Sequence, residues 1–305
     1  MRPHGAKIRA IGGARVKRLV QRYGLRLLRK LGQNFLIDER VIDFIVESAE
    51  LTPDDRVVEI GCGMGNLTRK IAETGAHVLA CEVDVRIATV AIEELEDMPN
   101  VRIIVRDALD GKGGLSAPLR EGIDELLADG GRLKVVSNLP YCISTPVITT
   151  LVEGDLPVER QVLTVQKEVG ERLIAKPGTK PYSYLGVTVQ LHCETELLKD
   201  IAPSAFWPRP EVRSAIVRVR PRADVSIDAD TLRGFKMLAK AIFNSRRKTL
   251  LNSLGQVGGI VADRDAFLAA FDKLGLEPKV RGERLSPEEM VELARALGLM
   301  KSESS

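Results

Sequence analysis

The stretch VVEIGCGMGN, residues 57–66, decides the expected fold, because an apolar run ends there in a glycine-rich turn. Residues 56–60 suit a short buried strand, and residues 67–73 suit a helix. The glycines at 61, 63 and 65 let the backbone turn tightly and approach a ligand closely. A strand, a glycine-rich turn and a helix in this order predict the first unit of a nucleotide-binding α/β sheet.

Further apolar runs of strand length follow, and most are separated by helical stretches. They lie at residues 77–81, 101–105, 133–136 and 161–165. This alternation predicts a mostly parallel sheet with helices on both faces. Two more strands, at 196–201 and 214–219, flank a proline-rich stretch and predict an antiparallel pair at one edge.

The pattern changes after residue 221, where helical stretches follow one another without strands. They lie at residues 231–243, 247–254, 264–274 and 287–297. The last begins with Ser286 and Glu289 in capping-box spacing. We therefore expect a basic N-terminal arm at 1–30, an α/β domain at 31–221 and a smaller all-α domain at 222–305.

Composition excludes several classes of protein. The chain has 305 residues, 44% of them hydrophobic and 29% charged, which is typical of a soluble globular protein. No apolar run approaches the roughly 20 residues that span a bilayer, and the N-terminus lacks the apolar core of a secretory signal. Four cysteines without CxxC spacing and three scattered histidines predict neither a disulfide scaffold nor a metal site, so we expect a cytoplasmic protein.

The first 30 residues carry ten Lys or Arg and no acid, although the net charge of the whole chain is only +3. Such an arm suits contact with a polyanion, and a solvated tail is an equally consistent interpretation.

Acidic side chains follow the next two strands. Glu82 stands 21 residues after Gly61, where a carboxylate can accept hydrogen bonds from ribose hydroxyls, and Asp107 follows the third strand. A dinucleotide site would have Gly where this chain has Asn66. The spacing therefore favours a nucleoside without phosphates, as in S-adenosylmethionine (SAM).

The stretch SNLPYCIST, residues 137–145, leaves the fourth strand at the same edge of the sheet. It can be interpreted as a turn, because Asn and Pro favour turns. It can also serve chemistry on an adenine amine, a poor nucleophile. The Asn138 side-chain oxygen and the Pro140 carbonyl could accept its hydrogen bonds, and Tyr141 could stack on the base.

Taken together, EIGCGMGNLT, CEVD, RDAL and NLPYCIST resemble the ribosomal RNA adenine N6-dimethyltransferases in order and spacing. The resemblance extends to KLGQNFL at 30–36, to FWPRPEVRSA at 206–215, to RRKTL at 246–250 and to the closing RLS, so it covers about residues 30–298. It implies a Rossmann-like SAM-dependent methyltransferase domain plus a helical RNA-binding domain. Within the family, the branch that dimethylates two adjacent adenines near the 3′ end of small-subunit rRNA is the most similar.

The resemblance also implies roles for individual residues. SAM would be bound by Asn34, Leu36, Glu59, Gly61, Gly63, Gly65, Glu82, Asp107 and Asn138. The target adenine would meet Asn138, Leu139, Pro140 and Tyr141, with Phe206 facing Tyr141 across the base. Arg246, Arg247 and Lys248 would contact RNA. Two departures from the family pattern stand out: Arg106, where Gly is common, and Cys142, where Asn is common.

We therefore expect a monomeric enzyme that acts on small-subunit rRNA within a pre-30S-type ribosomal particle. Two other hypotheses stay open at this point. One is a non-catalytic RNA-binding assembly factor, and the other is a related enzyme acting on large-subunit rRNA or on DNA.

Overall fold

The computed structural model describes residues 12–27, 32–223, 225, 227–254, 264–277 and 279–299. The first eleven residues of the basic arm and the Lys30-Leu31 start of the KLGQNFL motif lie outside this part of the chain. Within the described residues, no helix is both long enough and apolar enough to cross a membrane.

The strands of the described residues agree with the predicted alternation. In chain order they are β1 Phe35–Leu36, β2 Asp55–Ile60, β3 His77–Glu82, β4 Val101–Val105, β5 Arg132–Asn138, β6 Val158–Gln166, β7 Cys193–Ile201, β8 Phe206–Trp207 and β9 Ser214–Pro221. Seven of them form one sheet in the order β4-β3-β2-β5-β6-β9-β7, and β1 and β8 form a separate antiparallel pair. The pairings from β4 through to β6 are parallel, whereas β9 runs antiparallel to β6. The predicted mostly parallel sheet with an antiparallel edge is confirmed.

The helices of the described residues are α1 Gly13–Arg22, α2 Glu39–Ala49, α3 Asn66–Ala72, α4 Val85–Glu94, α5 Ala117–Leu127, α6 Ser144–Glu153, α7 Lys167–Leu173, α8 Tyr184–His192, α9 Ala229–Asn244, α10 Leu250–Leu254, α11 Arg264–Lys273 and α12 Pro287–Ala296. Side chains fix where several of them begin. Asp38 caps α2 by accepting a hydrogen bond from the Arg40 N–H, and Asp84 caps α4 in the same way. The capping box predicted for Ser286 and Glu289 is confirmed at the start of α12.

The central strands are buried on both faces. Val57 and Val58 of β2 and Val135 and Val136 of β5 are each at most 1% exposed. Burial of such side chains contributes about 1.5–3 kcal/mol each to folding, so these strands form a rigid base. The loops that leave their carboxyl ends are consequently held in fixed positions at one edge of the sheet.

The opposite end of β5 carries a buried ion pair. Lys134 is 2% exposed and its Nζ lies 3.0 Å from Oδ2 of the fully buried Asp55, while also donating to the Glu50 carbonyl at 2.8 Å. Burial alone would raise the pKa of Asp55, but the Lys134 ammonium and the Thr52 N–H more than offset it, and the pKa is lowered. This pair is far along the strand from its cleft end at Asn138.

The chain divides into two compact units, and the division differs from the single boundary expected near residue 222. The first unit comprises residues 1–170 and 197–220, and the second comprises 171–196 and 221–305. The second unit takes up 171–196 because Val187 and Leu191 of α8 share an apolar cluster with Phe235 and Leu238 of α9. Strand β7 therefore begins in the second unit and ends in the first.

Helix α1 shows that part of the basic arm is not a solvated tail. Val16 and Leu19 are 1% and 6% exposed, and they belong to an apolar cluster that also contains Phe35, Met64, Ile87 and Val90. Arg15 forms an ion pair with Glu94 of α4. The opposite face of α1 exposes Lys17 and Arg18, so the helix is anchored by its apolar side and presents positive charge outward.

Candidate active site

A cleft opens at the carboxyl ends of β2, β3 and β5 and encloses about 940 Å³, counted out to the solvent at its mouth. Its wall is built from the glycine-rich turn after β2, the residues that follow β3 and β4, the turn after β5 and the segment 32–36. Ligands of open α/β sheets bind at this edge. The structure therefore brings most of the residues predicted from sequence into one site.

The glycine-rich turn is shaped by contacts that leave no room for side chains. Gly61 and Gly63 have φ values of +78° and +58°, which L-residues rarely adopt. A Cβ on Gly61 would lie 2.7 Å from the Pro140 ring, and one on Gly63 would lie 2.9 Å from the Phe35 ring. Gly65 serves differently: it is the N-cap of α3 and does not line the cleft.

Glu82 lies in the cleft wall at the end of β3 with its carboxylate held in place. Oε2 accepts a hydrogen bond from the Gly63 N–H and Oε1 accepts one from the Asp84 N–H, both at 3.0 Å. Burial raises the pKa of this carboxyl, and the backbone N–H groups oppose the rise. Each oxygen keeps a second lone pair, so an oriented acceptor faces the cleft.

Glu59 is a second acidic side chain of the wall, and it is 1% exposed. Its Oε2 has no hydrogen-bond partner. Burial raises the pKa of Glu59 to about 8; the Thr68 hydroxyl opposes the rise and the Glu82 carboxylate adds to it. The described structure therefore holds two acids with raised pKa in one cleft.

Three more predicted cofactor residues also line the cleft: Asn34, Leu36 and Asp107. Asp107 is exposed, and its Oδ1 accepts a hydrogen bond from the Leu109 N–H at 3.0 Å, which fixes the turn after β4. The backbone carbonyl of Asn34 accepts a hydrogen bond from Asn138. The segment that precedes α2 is thus tied to the turn after β5.

Asn138 lies where β5 ends, and only one of the two polar atoms of its side-chain amide forms a hydrogen bond. Nδ2 donates to the Asn34 carbonyl at 3.1 Å, whereas Oδ1 is buried and has no hydrogen-bond partner. The bond made by Nδ2 fixes which way the amide points. An unpaired, oriented acceptor in the cleft wall is costly for a fold and is typical of a group that meets its partner in a ligand.

The rest of the NLPY turn divides its tasks. Pro140 lines the cleft, and its carbonyl accepts a hydrogen bond from the Ile143 N–H at 3.1 Å, which leaves one lone pair. Leu139 is 1% exposed and does not line the cleft, so its side chain anchors the turn in the core, and its predicted contact with the adenine stays a prediction. Tyr141 is partly buried and lies outside the cleft wall, with its hydroxyl 2.5 Å from that of Ser214. Burial raises the pKa of Tyr141, and the Ser214 hydroxyl opposes the rise.

Phe206 is 2% exposed and does not line the cleft. Its backbone pairs with Leu36 across the β1–β8 ladder, and its ring shares an apolar cluster with Ile42 and Ile45 of α2. The face-to-face arrangement with Tyr141 across a base therefore stays a prediction. It requires the ring to become uncovered.

The basic cluster predicted to contact RNA lies in the second unit on a connection between two helices. The helix expected from residue 247 begins instead at Leu250, because the turn at Ser245 ends α9 and its carbonyl accepts the Lys248 N–H. Arg246 forms an ion pair with Glu283 at 2.9 Å, whereas Arg247 and Lys248 are exposed. The sequence prediction of a role for these residues stays untested by this geometry.

Some residues of the wall were given no ligand-binding role by the sequence analysis. They include Gln33, Met64, Val83, Arg106, Cys142 and Ile143. Val83 is apolar but 45% exposed. Its position between Glu82 and Asp84 at the end of a strand is a sequence signal that could have marked it as a wall residue. Arg106 and Cys142, the two departures from the family pattern, both line the cleft.

The wall fits a nucleoside that carries positive charge. Glu82 offers a fixed acceptor for hydroxyls, Val83 offers an apolar surface for a flat ring, and the unpaired Oε2 of Glu59 offers an acceptor at depth. SAM combines these groups: a ribose, an adenine and a cationic methionine portion. Among the described residues, no group of three or more His, Cys, Asp or Glu is placed to hold a metal ion.

The sheet order, the glycine-rich turn and the cleft at this edge define a class I methyltransferase. Comparison with known sequences agrees with this class and narrows it. The model of the family described as "Ribosomal RNA adenine dimethylase" matches residues 24–297, and the chain belongs to that family.

Individual relatives are similar over nearly their whole length. The chain is 39% identical to ribosomal RNA small subunit methyltransferase A of Bacillus cereus (strain B4264), over 94% of this chain and 97% of that protein, and the same figures hold for the protein of Bacillus mycoides (strain KBAB4). A dimethyladenosine transferase from Plasmodium falciparum is similar in structure with a TM-score of 0.69 and 25% identity, covering 84% of this chain and 94% of that one. The 23S rRNA methyltransferase ErmE has a TM-score of 0.65 and 26% identity, covering 87% of this chain and all of that one. The family predicted from the sequence motifs is confirmed.

Proposed function

We propose that this chain transfers methyl groups from SAM to N6 of two adjacent adenines near the 3′ end of small-subunit, 16S-type rRNA, and dimethylates both. It acts as a monomer on a pre-30S-type ribosomal particle in the cytoplasm. The observation that carries the catalytic part is the buried, unpaired Oδ1 of Asn138, held in orientation by its Nδ2 bond to Asn34.

The chemistry follows from what the target amine lacks. Its lone pair is delocalised into the adenine ring, so it is a weak nucleophile. Asn138 Oδ1 and the remaining lone pair of the Pro140 carbonyl accept the two N–H groups and favour a pyramidal nitrogen. Bound SAM supplies an electrophilic methyl group to this nitrogen. The methylated amine is then a strong acid and loses its proton to water, so the residues of the turn need only to position and polarise.

Glu82 is proposed to bind the ribose of SAM. A carboxylate that accepts from hydroxyl groups forms charge-assisted bonds, each contributing about 1.5–3 kcal/mol. Glu82→Ala should therefore weaken SAM binding at least tenfold (about 1.4 kcal/mol), measured by calorimetry on protein that still unfolds cooperatively. Unchanged affinity would remove Glu82 from the site.

The substrate is tested by methyl transfer to three acceptors in parallel: undermethylated small subunits, large subunits and free rRNA. Transfer to adjacent adenines of the small subunit, mapped by primer extension or mass spectrometry, is the expected result. Binding without transfer would favour an assembly factor that does no chemistry. Transfer to the large subunit would instead favour a 23S rRNA methyltransferase activity. This alternative is tested because the chain is similar in structure to ErmE.

A further inference from the structure

Glu59 was predicted to bind SAM, but the methyl-transfer steps proposed above give it no part. Its side chain is 1% exposed, it lines the cleft, and its Oε2 has no hydrogen-bond partner. The Thr68 hydroxyl of α3 is near enough to lower the pKa of Glu59, but it does not offset the rise that burial causes. Burying an ionisable group without a hydrogen-bond partner costs folding free energy, so we look for a ligand that supplies the missing partner.

The groups around Glu59 add no positive charge. On β3 the neighbouring titratable groups are Glu82 and the Cys81 thiol, and in the glycine-rich turn the neighbour is the Cys62 thiol. At the cleft end of β5 stand the neutral side chains of Ser137 and Asn138. Arg106 is the cation of the wall, but it is exposed and its guanidinium donates to the Val105 carbonyl at 3.1 Å. Among the described residues, no cation is one of the groups that shift the pKa of Glu59.

The methyl donor and the product of a SAM-dependent methyltransferase differ in net charge, and a carboxylate such as that of Glu59 interacts differently with each. The methyl donor SAM carries a sulfonium and an ammonium against one carboxylate, a net charge of about +1 at neutral pH, whereas the product S-adenosylhomocysteine is a neutral thioether. A buried anion in a cleft of low dielectric attracts the donor more strongly than the product, which keeps the ammonium but lacks the sulfonium.

We propose, resting on the proposed use of SAM, that Glu59 distinguishes the charged donor from the neutral product. The cleft without ligand holds the carboxyl protonated at neutral pH; binding of the donor ionises it, and the proton passes to solvent. When the methyl group has left, the sulfonium charge is gone, Glu59 takes up a proton again, and the product is held less tightly. The window for this exchange lies around pH 8, because burial raises the pKa of Glu59 to about 8 in the cleft without ligand.

The test measures binding, without turnover. Calorimetric titration of the whole protein with SAM at pH 7, in phosphate and in Tris, gives the number of protons released from the difference in heat between the two buffers. We expect close to one proton for SAM and clearly fewer for the product. SAM affinity should rise with pH by up to tenfold per unit below pH 8 and level off above it, while product affinity stays nearly flat.

Glu59→Gln keeps the shape of the side chain and removes the charge. It should abolish proton release and reduce the preference for SAM over the product about tenfold. Thr68→Val is the matched control, because it removes the hydroxyl that favours the ionised form and should move the pH profile upward without abolishing it. If Glu59→Gln does not fold, absence of proton release from the parent protein still refutes the role of Glu59. The Thr68→Val shift then supports it, because Thr68 acts on the pKa of Glu59 and not on that of Glu82.

The outcomes separate the two proposals. SAM binding with no proton release, or a Glu59→Gln protein that keeps both proton release and preference, would refute the role of Glu59 and leave the proposed function intact. Failure of both SAM and the product to bind at any pH would overturn the proposed function as well.

Discussion

Replacing Asn138 with alanine should stop methyl transfer with little effect on folding. The variant lacks the Nδ2 hydrogen bond to the Asn34 carbonyl, a net contribution of about 1 kcal/mol. It also removes a buried acceptor without a partner, whose desolvation costs the parent about 1–3 kcal/mol. The two effects oppose each other, so the free energy of unfolding should change by no more than about 1–2 kcal/mol.

The effect on chemistry has no such compensation. Removing one oriented hydrogen-bonding group from a transition state typically costs about 10²–10³ in rate, or about 2.7–4 kcal/mol. Single-turnover transfer to undermethylated small subunits, measured beside thermal unfolding, separates chemistry from stability. Retained binding of the substrate particle would show that the defect is in the chemical step.

Gln161 provides a matched control one strand away. It is 2% exposed on β6, its Oε1 also has no hydrogen-bond partner, and it does not line the cleft. Gln161→Ala should change the unfolding temperature but leave the transfer rate per folded molecule unaltered. If Asn138→Ala unfolds early and transfers methyl groups at the parent rate, NLPY is only a turn and the mechanism is wrong.

Four other outcomes are expected. Tyr141→Ala should slow single-turnover transfer, since stacking on a base contributes about 1–3 kcal/mol, while Tyr141→Phe should be mild; equal rates for all three proteins would exclude stacking. Changing the exposed Lys17 and Arg18 to Gln should lower the slope of log RNA affinity against log salt by about 0.7–0.9 for each phosphate that is no longer neutralised, without changing stability. An unaltered slope would mean that this face of α1 does not touch RNA. Lys134→Met should lower the free energy of unfolding in urea, by less than the roughly 3–5 kcal/mol of a fully unpaired buried charge, because Asp55 keeps the part-exposed Arg132 and the Thr52 N–H as partners. Transfer per folded molecule should be kept, and a variant as stable as the parent would show that the pair contributes nothing. The pKa of Glu59 is about 8 in the fold against 4.5 normally, so its contribution to stability is fully present below pH 4.5 and is lost as pH rises through 8. Between these pH values, Glu59→Gln should gain stability relative to the parent by up to about 1.4 kcal/mol per pH unit. A difference that does not depend on pH would contradict this.

The parts of the site that sequence could predict are those fixed by local pattern. Apolar runs of strand length indicate the order of β2 to β6, and the turns after them carry Gly61, Glu82, Asp107 and Asn138 to one edge because parallel strands end on the same side. No knowledge of distant contacts was needed for this step.

What sequence could not supply depends on contacts between distant segments. The two-residue ladder that joins Leu36 to Phe206 has no periodicity to recognise, so the burial of the Phe206 ring was not foreseen. The helical pattern of α8 indicates its apolar face but not the core that receives it, which is why sequence alone assigned residues 171–196 to the α/β domain. In the arm, Val16 and Leu19 have helical spacing, but the dense positive charge around them is equally typical of a solvated tail.

The contact between Gly61 and the Pro140 ring has a consequence for how such an enzyme can change over generations. A side chain at 61 would overlap the proline at 2.7 Å, so the loop for the methyl donor and the turn for the base cannot drift separately. A lineage that replaced the proline first would lose the shape of the turn, and one that replaced the glycine first would displace it. Replacing the proline would not free position 61, because its φ of +78° disfavours any side chain, so the two motifs are inherited as one unit. The chemistry of this cleft is therefore easier to retarget through its outlying walls, at positions such as Arg106 and Cys142, than through the residues that join its two halves.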